Sequence, residues 1–236
     1  MNHVLSLDGT TIKQARIIRR LSGWCALLTL QWDVSMPDIM PHGEGVGIDV
    51  GLTNFLGNSN GLLVKRPRFF KDAECQLKLL QQRLIRTKLG SNNWRKAMKK
   101  VGQLHEYVAN VRKDWHRKLS HQICKDLGMI FVKNLNLIWL SRAMLGKHCL
   151  DAGWGQFFTI PEQTCLKYGV YFQKVNANKT SQICPDCGVE TGKKELDERT
   201  HNCSNCGYTT DRNVAVAQVV LVIGLAALGY TACDAC

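Results

Sequence analysis

The sequence is short of acidic side chains and has no hydrophobic run long enough to cross a membrane. Asp and Glu number 19 against 31 Lys and Arg, so the formal net charge is +12. The most apolar segment, 214–229, falls short of the ~20 residues of a membrane span, and Gln218 interrupts it. We therefore predict a buried core helix there and no membrane partner. An excess of positive charge favours a polyanionic partner, most commonly nucleic acid.

The sequence also lacks a secretory signal, internal repeats and low-complexity tracts. Residues 1–10 contain no basic stretch followed by an apolar one, so a cytoplasmic protein is expected. Thiols stay reduced in that compartment. Among the 11 cysteines, those in Cys-x2-Cys pairs are therefore interpreted as metal ligands before disulfides are considered. We expect no small-molecule substrate.

Two cysteine pairs have the spacing of a zinc ribbon. Residues 184–187 read CPDC and residues 203–206 read CSNC, with a glycine directly after each pair where the turn needs a positive φ. Two such pairs complete a tetrahedral site that is closed to water and therefore structural, and zinc would supply the folding energy of so small a ribbon. The predicted zinc ligands are Cys184, Cys187, Cys203 and Cys206. The pair at 233–236 has no second pair and is interpreted as a frayed tail.

Hydrophobic periodicity predicts a mixed α/β layout. Two strand-like runs around a Ser-Gly turn predict a β-hairpin near the N-terminus. Apolar residues at helical spacing predict two helices between 73 and 125, broken at 90–93, and the final apolar segment closes the fold as a helix. The predicted strands lie within 15–21, 25–34, 45–66, 129–137 and 168–178.

The positive charge is concentrated in residues 65–118, which hold 16 Lys and Arg but only four acids. A solvated helix face usually alternates the two signs, and this stretch does not. A surface that contacts phosphates explains the pattern better, and such contacts carry little sequence information. The residues predicted to contact nucleic acid are Lys65, Arg66, Arg68, Arg86, Lys88, Arg95, Lys96, Lys99, Lys100, Arg112 and Lys113. His105, His116 and His121 are interpreted as helix-surface or core residues.

Asp49 is an isolated carboxylate between glycines in an otherwise apolar strand, GVGIDVGL. Burying a lone carboxylate is costly. One explanation is a Mg²⁺ ligand on the central strand of an RNase H-like sheet, where carboxylates from distant segments hold two metal ions. The other is an ordinary Asp at a strand end. The residue by itself favours neither explanation.

Five motifs, in their order along the chain, resemble the OrfB/TnpB family of bacterial insertion sequences, whose members are RNA-guided DNA nucleases. They are GIDVGLTN (47–54), NVRKDWHRKLSHQI (110–123), FVKNLNL (131–137), KVNANKTSQICPDCG (174–188) and CSNCGYTTDRNVAVA (203–217). The resemblance implies an α/β fold, namely an RNase H-like (RuvC) mixed sheet with a helical-hairpin insert and an inserted zinc ribbon. It also implies DNA and a guide RNA as partners, and an endonuclease activity that depends on Mg²⁺.

The resemblance divides the chain into parts. Residues 1–40 are expected to be the end of an N-terminal β-barrel (wedge) domain, which is longer in family members. Residues 41–180 are expected to form the first part of the RuvC-like fold, with the basic helical hairpin at 73–125. Residues 181–207 would form the zinc ribbon, and 208–236 the last helix of the RuvC-like fold.

The chain departs from the family at two of the three catalytic carboxylates that the resemblance implies. Asp49 matches the first acid. Lys133 stands where the family has Glu, and Asn213 stands at the third acid. Because Mg²⁺ needs anionic oxygen ligands, the favoured hypothesis is a nucleic-acid-binding protein with an inactive nuclease site.

Two alternatives stay open. An active Mg²⁺-dependent endonuclease would use Asp49, Asp211 and a further acid, although Asp211 lies two residues before position 213. A transposon relic without selected function would explain the loss of two acids in one chain.

Overall fold

The computed structural model describes residues 10–21, 23–32, 38–136, 146–176, 178–195 and 198–230. The chain forms two compact units. The first comprises Met1–Asp38 and Ala73–Ala109, and the second Ile39–Asp72 and Asn110–Cys236. The Cys233/Cys236 pair lies outside the described residues, so its interpretation as a frayed tail stays a prediction.

The first unit contains the predicted β-hairpin. β1 (Thr10–Arg19) pairs antiparallel with β2 (Trp24–Trp32), and Arg19 stands opposite Trp24 beside the turn. The register shifts between Ile12 and Gln14, which marks a bulge. The hairpin forms a sheet of two strands.

Two helices follow the predicted helical pattern. α1 (Phe69–Ile85) and α2 (Asn92–Cys124) are confirmed, and the chain between them leaves the helix before position 90. The Thr87 hydroxyl donates to the Leu84 carbonyl oxygen at 2.7 Å, which satisfies one of the last carbonyls of α1 that have no partner within the helix. α2 begins where the Ser91 hydroxyl accepts from the backbone N–H of Trp94 at 3.1 Å, a capping interaction that fixes the first turn.

The second unit is built on a five-stranded sheet. Its strands are β3 (Gly45–Val50), β4 (Asn54–Asn58), β5 (Leu63–Lys65), β6 (Met129–Asn134) and β7 (Tyr171–Asn176). The strand order is β5-β4-β3-β6-β7, in which β3 pairs antiparallel with β4 and parallel with β6. The central strands are apolar runs because both of their faces are covered. The predicted α/β class and mixed sheet are confirmed.

Three helices and a small hairpin complete the second unit. They are α3 (Gly146–Ala152), α4 (Trp154–Tyr168), β8 (Thr200–Asn202), β9 (Thr209–Asp211) and α5 (Arg212–Ala227). α5 is the predicted apolar helix, and its buried residues occur on more than one side, as expected of a helix inside a core. Of the helices that the structure describes, none has the combination of length and hydrophobicity that crossing a membrane requires.

α5 lies directly against the sheet because glycines on both elements allow a close approach. A Cβ on Gly47 in β3 would overlap the carbonyl oxygen of Ala217 and lie 2.8 Å from the backbone nitrogen of Leu221. On the helix side, Gly224 makes room for the ring of Phe131 from β6. The helix therefore packs on the backbone of the central strand, and this contact fixes where its first turn lies.

The face of the sheet opposite α5 carries an apolar cluster, which it forms with α2 and α4. His116 of α2 is fully buried there, with its ring against those of Phe55 and Phe157. Its Nε2–H donates to the carbonyl oxygen of Ala152 at 3.0 Å. Burial lowers the pKa of His116 to about 4. The interpretation of His116 as a core residue is confirmed.

The contact between α5 and β3 can be tested at Gly47. We expect Gly47→Ala to lower the free energy of unfolding by about 1–3 kcal/mol or more, because the new methyl group overlaps helix backbone that cannot rotate away. The matched control is Gly45→Ala on the same face of the same strand, where the nearest atom is a flexible Leu221 methyl at 3.2 Å. Thermal and urea unfolding of both variants measure the difference. Equal losses in the two variants would contradict this account of the packing.

Candidate metal centres and nucleic-acid interface

Asp49 and Lys133 lie side by side at the carboxyl ends of two adjacent strands. β3 and β6 are parallel and in register up to Ile48↔Val132, so the next residue of each strand is a neighbour of the other. Lys133 Nζ lies 3.8 Å from Asp49 Oδ1, and the two side chains are 15% and 10% exposed. They form an ion pair that water reaches poorly.

Asn213 completes this cluster from the first turn of α5. Asp49 stands directly opposite Gly57 of β4, so both residues project to the same face of the sheet. A Cβ on Gly57 would lie 2.8 Å from the Cβ of Asn213, which therefore lies on that face. The structure thus brings together Asp49, Lys133 and Asn213, the three positions at which the resemblance implies carboxylates.

Asp211 and Arg212 connect this cluster to the segment before α5. Asp211 is the N-cap of α5, and its Oδ1 accepts from the backbone N–H of Asn213 at 2.8 Å, a common role for Asp at a helix start. Arg212 Nη1 donates to the carbonyl oxygens of Glu195 and Glu198, the latter at 3.2 Å. Sequence reasoning missed this role of Arg212, for which the only signal was its place directly before the apolar helix.

Burial dominates the electrostatics of Asp49. The residue is 7% exposed. Loss of hydration raises the pKa of its carboxyl to about 6, although the charges of Lys133 and Arg212 oppose the rise. The nearby charge of Asp211 adds a smaller increase. The Asp49 carboxylate is therefore stabilised by two cations and not by solvent.

The described side chains around Asp49 do not fit a magnesium ion. Mg²⁺ prefers octahedral coordination by oxygen and is held by carboxylates. Here an ammonium group lies 3.8 Å from the Asp49 carboxylate, Asn213 offers only a neutral amide, and the Asp211 carboxylate caps a helix. Over the residues that the structure describes, the one group of three or more candidate metal ligands is a set of four cysteines.

The raised pKa of Asp49 predicts a pH-dependent effect of Asp49→Asn. The folded state must ionise a buried carboxyl as the pH rises from about 4 to about 6, whereas the unfolded chain ionises it freely at a pKa of 3.8. Wild type therefore loses up to about 3 kcal/mol over this range through this group, and the variant does not. The stability of Asp49→Asn relative to wild type should increase between pH 4 and pH 7.

Urea unfolding at a series of pH values measures this difference. Val50→Ala is the control, since it removes apolar contacts from the same strand without changing an ionisable group. Its stability relative to wild type should be the same at each pH. A flat profile for Asp49→Asn as well would show that burial does not raise the pKa of Asp49.

The four cysteines predicted as zinc ligands, Cys184, Cys187, Cys203 and Cys206, come together. All four Sγ atoms lie within 4.8 Å of one another. Two of the Sγ–Sγ distances are 3.7 Å, between Cys184 and Cys206, and 3.6 Å, between Cys187 and Cys203. Four thiolates in a tetrahedron around zinc, each at ~2.3 Å, lie roughly 3.8 Å apart. The cluster is therefore compatible with a zinc site.

The backbone around the two cysteine pairs has the same form in both. Gly188 and Gly207 adopt φ values of 72° and 75°, as predicted. The backbone N–H of each glycine donates to the carbonyl oxygen of the first cysteine of its pair, at 3.0 and 2.9 Å. At Cys187 the backbone N–H of Val189 lowers the pKa of the thiol to about 6. This favours the thiolate, which is the form that binds metals.

The cysteine cluster predicts one zinc ion per chain, lost on substitution of a ligand. Cys184→Ser should bind less than one equivalent of zinc and should increase hydrogen exchange in residues 178–195 and 198–211, because the metal supplies folding energy to a small ribbon. Cys75→Ser is the control, since it removes an exposed thiol outside the cluster. Elemental analysis and hydrogen-exchange mass spectrometry measure both effects. Full zinc occupancy in Cys184→Ser would rule out a site with four cysteine ligands.

Nine of the eleven residues predicted to contact nucleic acid have exposed side chains. The other two, Arg66 and Arg112, are half-buried and donate to carbonyl oxygens of α3, at His148 (3.4 Å) and Leu150 (3.0 Å) respectively. These carbonyls belong to a short helix that cannot satisfy all of them itself. Both guanidinium groups therefore support α3, which the sequence did not indicate. Nucleic-acid contact by the eleven residues stays a prediction.

The strand order, the buried cluster at the ends of β3 and β6 and the four-cysteine ribbon together define a class. A mixed sheet of this topology, with its last helix packed over the central strand, is an RNase H-like fold of the RuvC type. A ribbon with four clustered cysteines directly before that helix places the chain among RuvC-like proteins with a cysteine-rich insert.

Comparison with known proteins agrees with this class. The model of the family OrfB_IS605, described as a probable transposase, matches residues 34–143, and that of the Cas12f1-like TNB domain matches residues 154–220. The solved structure of Cas12f1 with sgRNA and target DNA aligns with a TM-score of 0.52 at 19% identity, over 87% of this chain and 55% of that one. At this identity the likeness shows the fold alone.

Two relatives each match a longer part of the chain than either family model does. InsQ of Escherichia coli (strain K12), named as an RNA-guided DNA endonuclease, is 27% identical over 233 residues, covering 92% of this chain and 58% of InsQ. An RNA-guided DNA endonuclease of Streptomyces pristinaespiralis is 30% identical over 184 residues, covering 77% and 46%. The chain spans about half the length of the curated relatives it matches. It belongs to the OrfB/TnpB family.

Proposed function

We propose that this chain is a TnpB-like protein that binds DNA and RNA in the cytoplasm but does not cleave them. The observation that carries the proposal is the buried ion pair between Lys133 Nζ and Asp49 Oδ1, 3.8 Å apart. An ammonium group in this position repels a divalent cation at close range, and the burial of both side chains limits screening by solvent.

The charge balance of the cluster supports this proposal. Carboxylates at all three positions would offset most of the charge of two Mg²⁺ ions. With Asp49, Lys133 and Asn213, the three side chains together carry no net charge. Lys133 and Arg212 both favour the ionised form of Asp49 and so offset part of the cost of its burial. In this proposal, side chains of the protein take the place of the Mg²⁺ ions. The buried cluster is preserved, and the metal-dependent cleavage is lost.

Nucleic-acid binding is supported separately from the nuclease site. The relatives are named as RNA-guided DNA endonucleases, and the Cas12f1 structure contains sgRNA and target DNA. Nine predicted phosphate contacts of this chain are exposed and positively charged. In the proposal this surface binds the backbones of DNA and a guide RNA, with affinity that falls as salt increases.

The proposal assigns a role to each part of the chain. Residues 181–207 form a ribbon around a structural zinc ion held by the four cysteines, and residues 41–180 and 208–236 form the RuvC-like fold. Residues 1–40 correspond to the end of the wedge domain. The zinc assignment is supported by Sγ–Sγ distances of 3.6 and 3.7 Å, close to those of a tetrahedral site.

An active nuclease is the second candidate. One observation favours it: the charge of Asp211 raises the pKa of Asp49, so the two carboxylates lie near each other. Against it, Asp211 caps α5, and no third carboxylate joins the two in a metal-ligand group within the described residues. In this candidate Lys133 would have to turn away from Asp49 when metal binds.

A pair of substitutions tests whether charge alone explains the inactive site. Lys133→Glu combined with Asn213→Asp places carboxylates at all three positions. We expect this variant to gain Mg²⁺ or Mn²⁺ binding that wild type lacks, because the repulsive ammonium becomes an anionic ligand. Isothermal titration with either metal measures the gain, and cleavage of plasmid DNA is the second readout.

The control makes the same change of charge elsewhere. Lys167→Glu with Gln163→Glu alters two exposed side chains of α4 and should leave metal binding at the wild-type level. Mg²⁺-dependent cleavage by wild type that Asp49→Ala abolishes would establish the active nuclease. If wild type binds no nucleic acid at low salt, the chain is a relic and the proposed binding function is wrong.

A further inference from the structure

A pocket with a volume of about 540 Å³ lies within the first unit, between the β1–β2 turn and the first turns of α2. Volumes of about 300–1,000 Å³ are typical of sites for small ligands, and this one is open enough to admit part of a polymer. Both walls belong to the same compact unit, so the pocket is a property of that unit alone. The side chains that line the pocket indicate the kind of ligand that it binds.

Five cationic side chains line the pocket, and no acid accompanies them among the described lining residues. They are Arg19, Arg20, Arg95, Lys96 and Lys99. None of the five forms an ion pair with a described acid. Because like charges gathered in a concave surface repel each other and concentrate anions, the pocket is complementary to a ligand with more than one negative charge.

Two tryptophans lie among these cations. Trp24 in β2 is 71% exposed, and the guanidinium carbon of Arg19 lies 5.7 Å from the centroid of its ring. This cation–π contact holds the indole in one orientation at little cost. Trp94 is held at the start of α2, where its backbone N–H donates to the Ser91 hydroxyl. The exposed and oriented indole of Trp24 therefore offers a face on which a nucleic-acid base can stack.

We propose that this pocket binds an unpaired nucleotide of single-stranded nucleic acid, with the base stacked on Trp24 and the adjacent phosphates against the five cations. The inference rests on the proposed nucleic-acid-binding function and adds the form of the ligand. Stacking on an aromatic side chain needs an exposed base face, which a duplex does not offer. A site of this kind tolerates any base, because every base has a π-face.

A duplex would use the pocket differently. Double-stranded nucleic acid presents only phosphates and groove edges to a surface of this kind, so the cations would contribute to binding and the indoles would not. Dependence on the indole ring therefore separates an unpaired strand from a duplex. Dependence on Arg19, Arg20 or Lys99 does not.

The test compares Trp24→Phe with Trp24→Leu in the full chain. Both substitutions keep an apolar side chain at an exposed position, and only phenylalanine keeps a ring that can stack. The probes are oligo(dT) and oligo(U) of 12 nucleotides, an abasic strand of equal charge and a 12-base-pair duplex. Binding is measured by fluorescence anisotropy at fixed salt, and circular dichroism checks that each variant is folded.

We expect Trp24→Leu to weaken binding of oligo(dT), oligo(U) or both by roughly ten- to a hundredfold, and Trp24→Phe by less. Neither variant should change binding of the abasic strand or the duplex. Lys99→Gln should weaken all four probes to a similar extent, because it removes a phosphate contact. Tyr107→Leu, which removes another exposed aromatic ring of the first unit, should have no effect.

Equal affinities of Trp24→Leu and wild type for both single strands would overturn the inference. In that case salt-sensitive binding of the duplex by wild type would leave the proposed function intact. Loss of affinity for the abasic strand as large as for oligo(dT) would also overturn it, since the effect would then come from charge or folding. If wild type binds none of the four probes at low salt, the inference and the proposed function both fail.

Discussion

The packing of α5 on the bare backbone of β3 is the constraint on which the second unit depends. Gly47 permits a helix–strand distance that any side chain would prevent, and the first turn of α5 is thereby placed over Asp49. Asn213 reaches the sheet for this reason. This backbone contact does not depend on the charges of residues 49, 133 and 213, so the fold accommodates the side chains found there.

In the buried cluster, the carboxylate of Asp49 is paired with cations of the protein itself. A carboxylate that keeps its place in a dry environment needs a positive partner, and Lys133 and Arg212 supply one from β6 and from α5. The amide of Asn213 fits beside Gly57 with the shape of a carboxylate. Under the proposed function, the covalently attached cation of Lys133 takes the place of a diffusible metal ion.

Much of the fold follows from local sequence. Alternating and helical periodicity predicted the hairpin, the strands and the apolar helix, and the cysteine spacing predicted the cluster, because each depends on residues close in sequence. The contacts of Arg66 and Arg112 with α3 were not predictable, since their acceptors lie far away in the sequence. The capping role of Asp211 could have been inferred from its place before an apolar helix. The pocket of Trp24 and Lys99 escaped notice because tertiary folding alone brings the hairpin turn to α2.

Arg212 interacts both with the segment between the two cysteine pairs and with the buried carboxylate of Asp49. Its guanidinium group donates to carbonyl oxygens of that segment, and its backbone N–H donates to the Arg199 carbonyl oxygen at 2.8 Å. Its positive charge also favours the ionised form of Asp49. Whatever orders that segment also sets the distance between this cation and the carboxylate. Ribbon order and proton affinity in the sheet are then thermodynamically linked, and such coupling is reciprocal. Arg212 is the side chain through which this coupling would act.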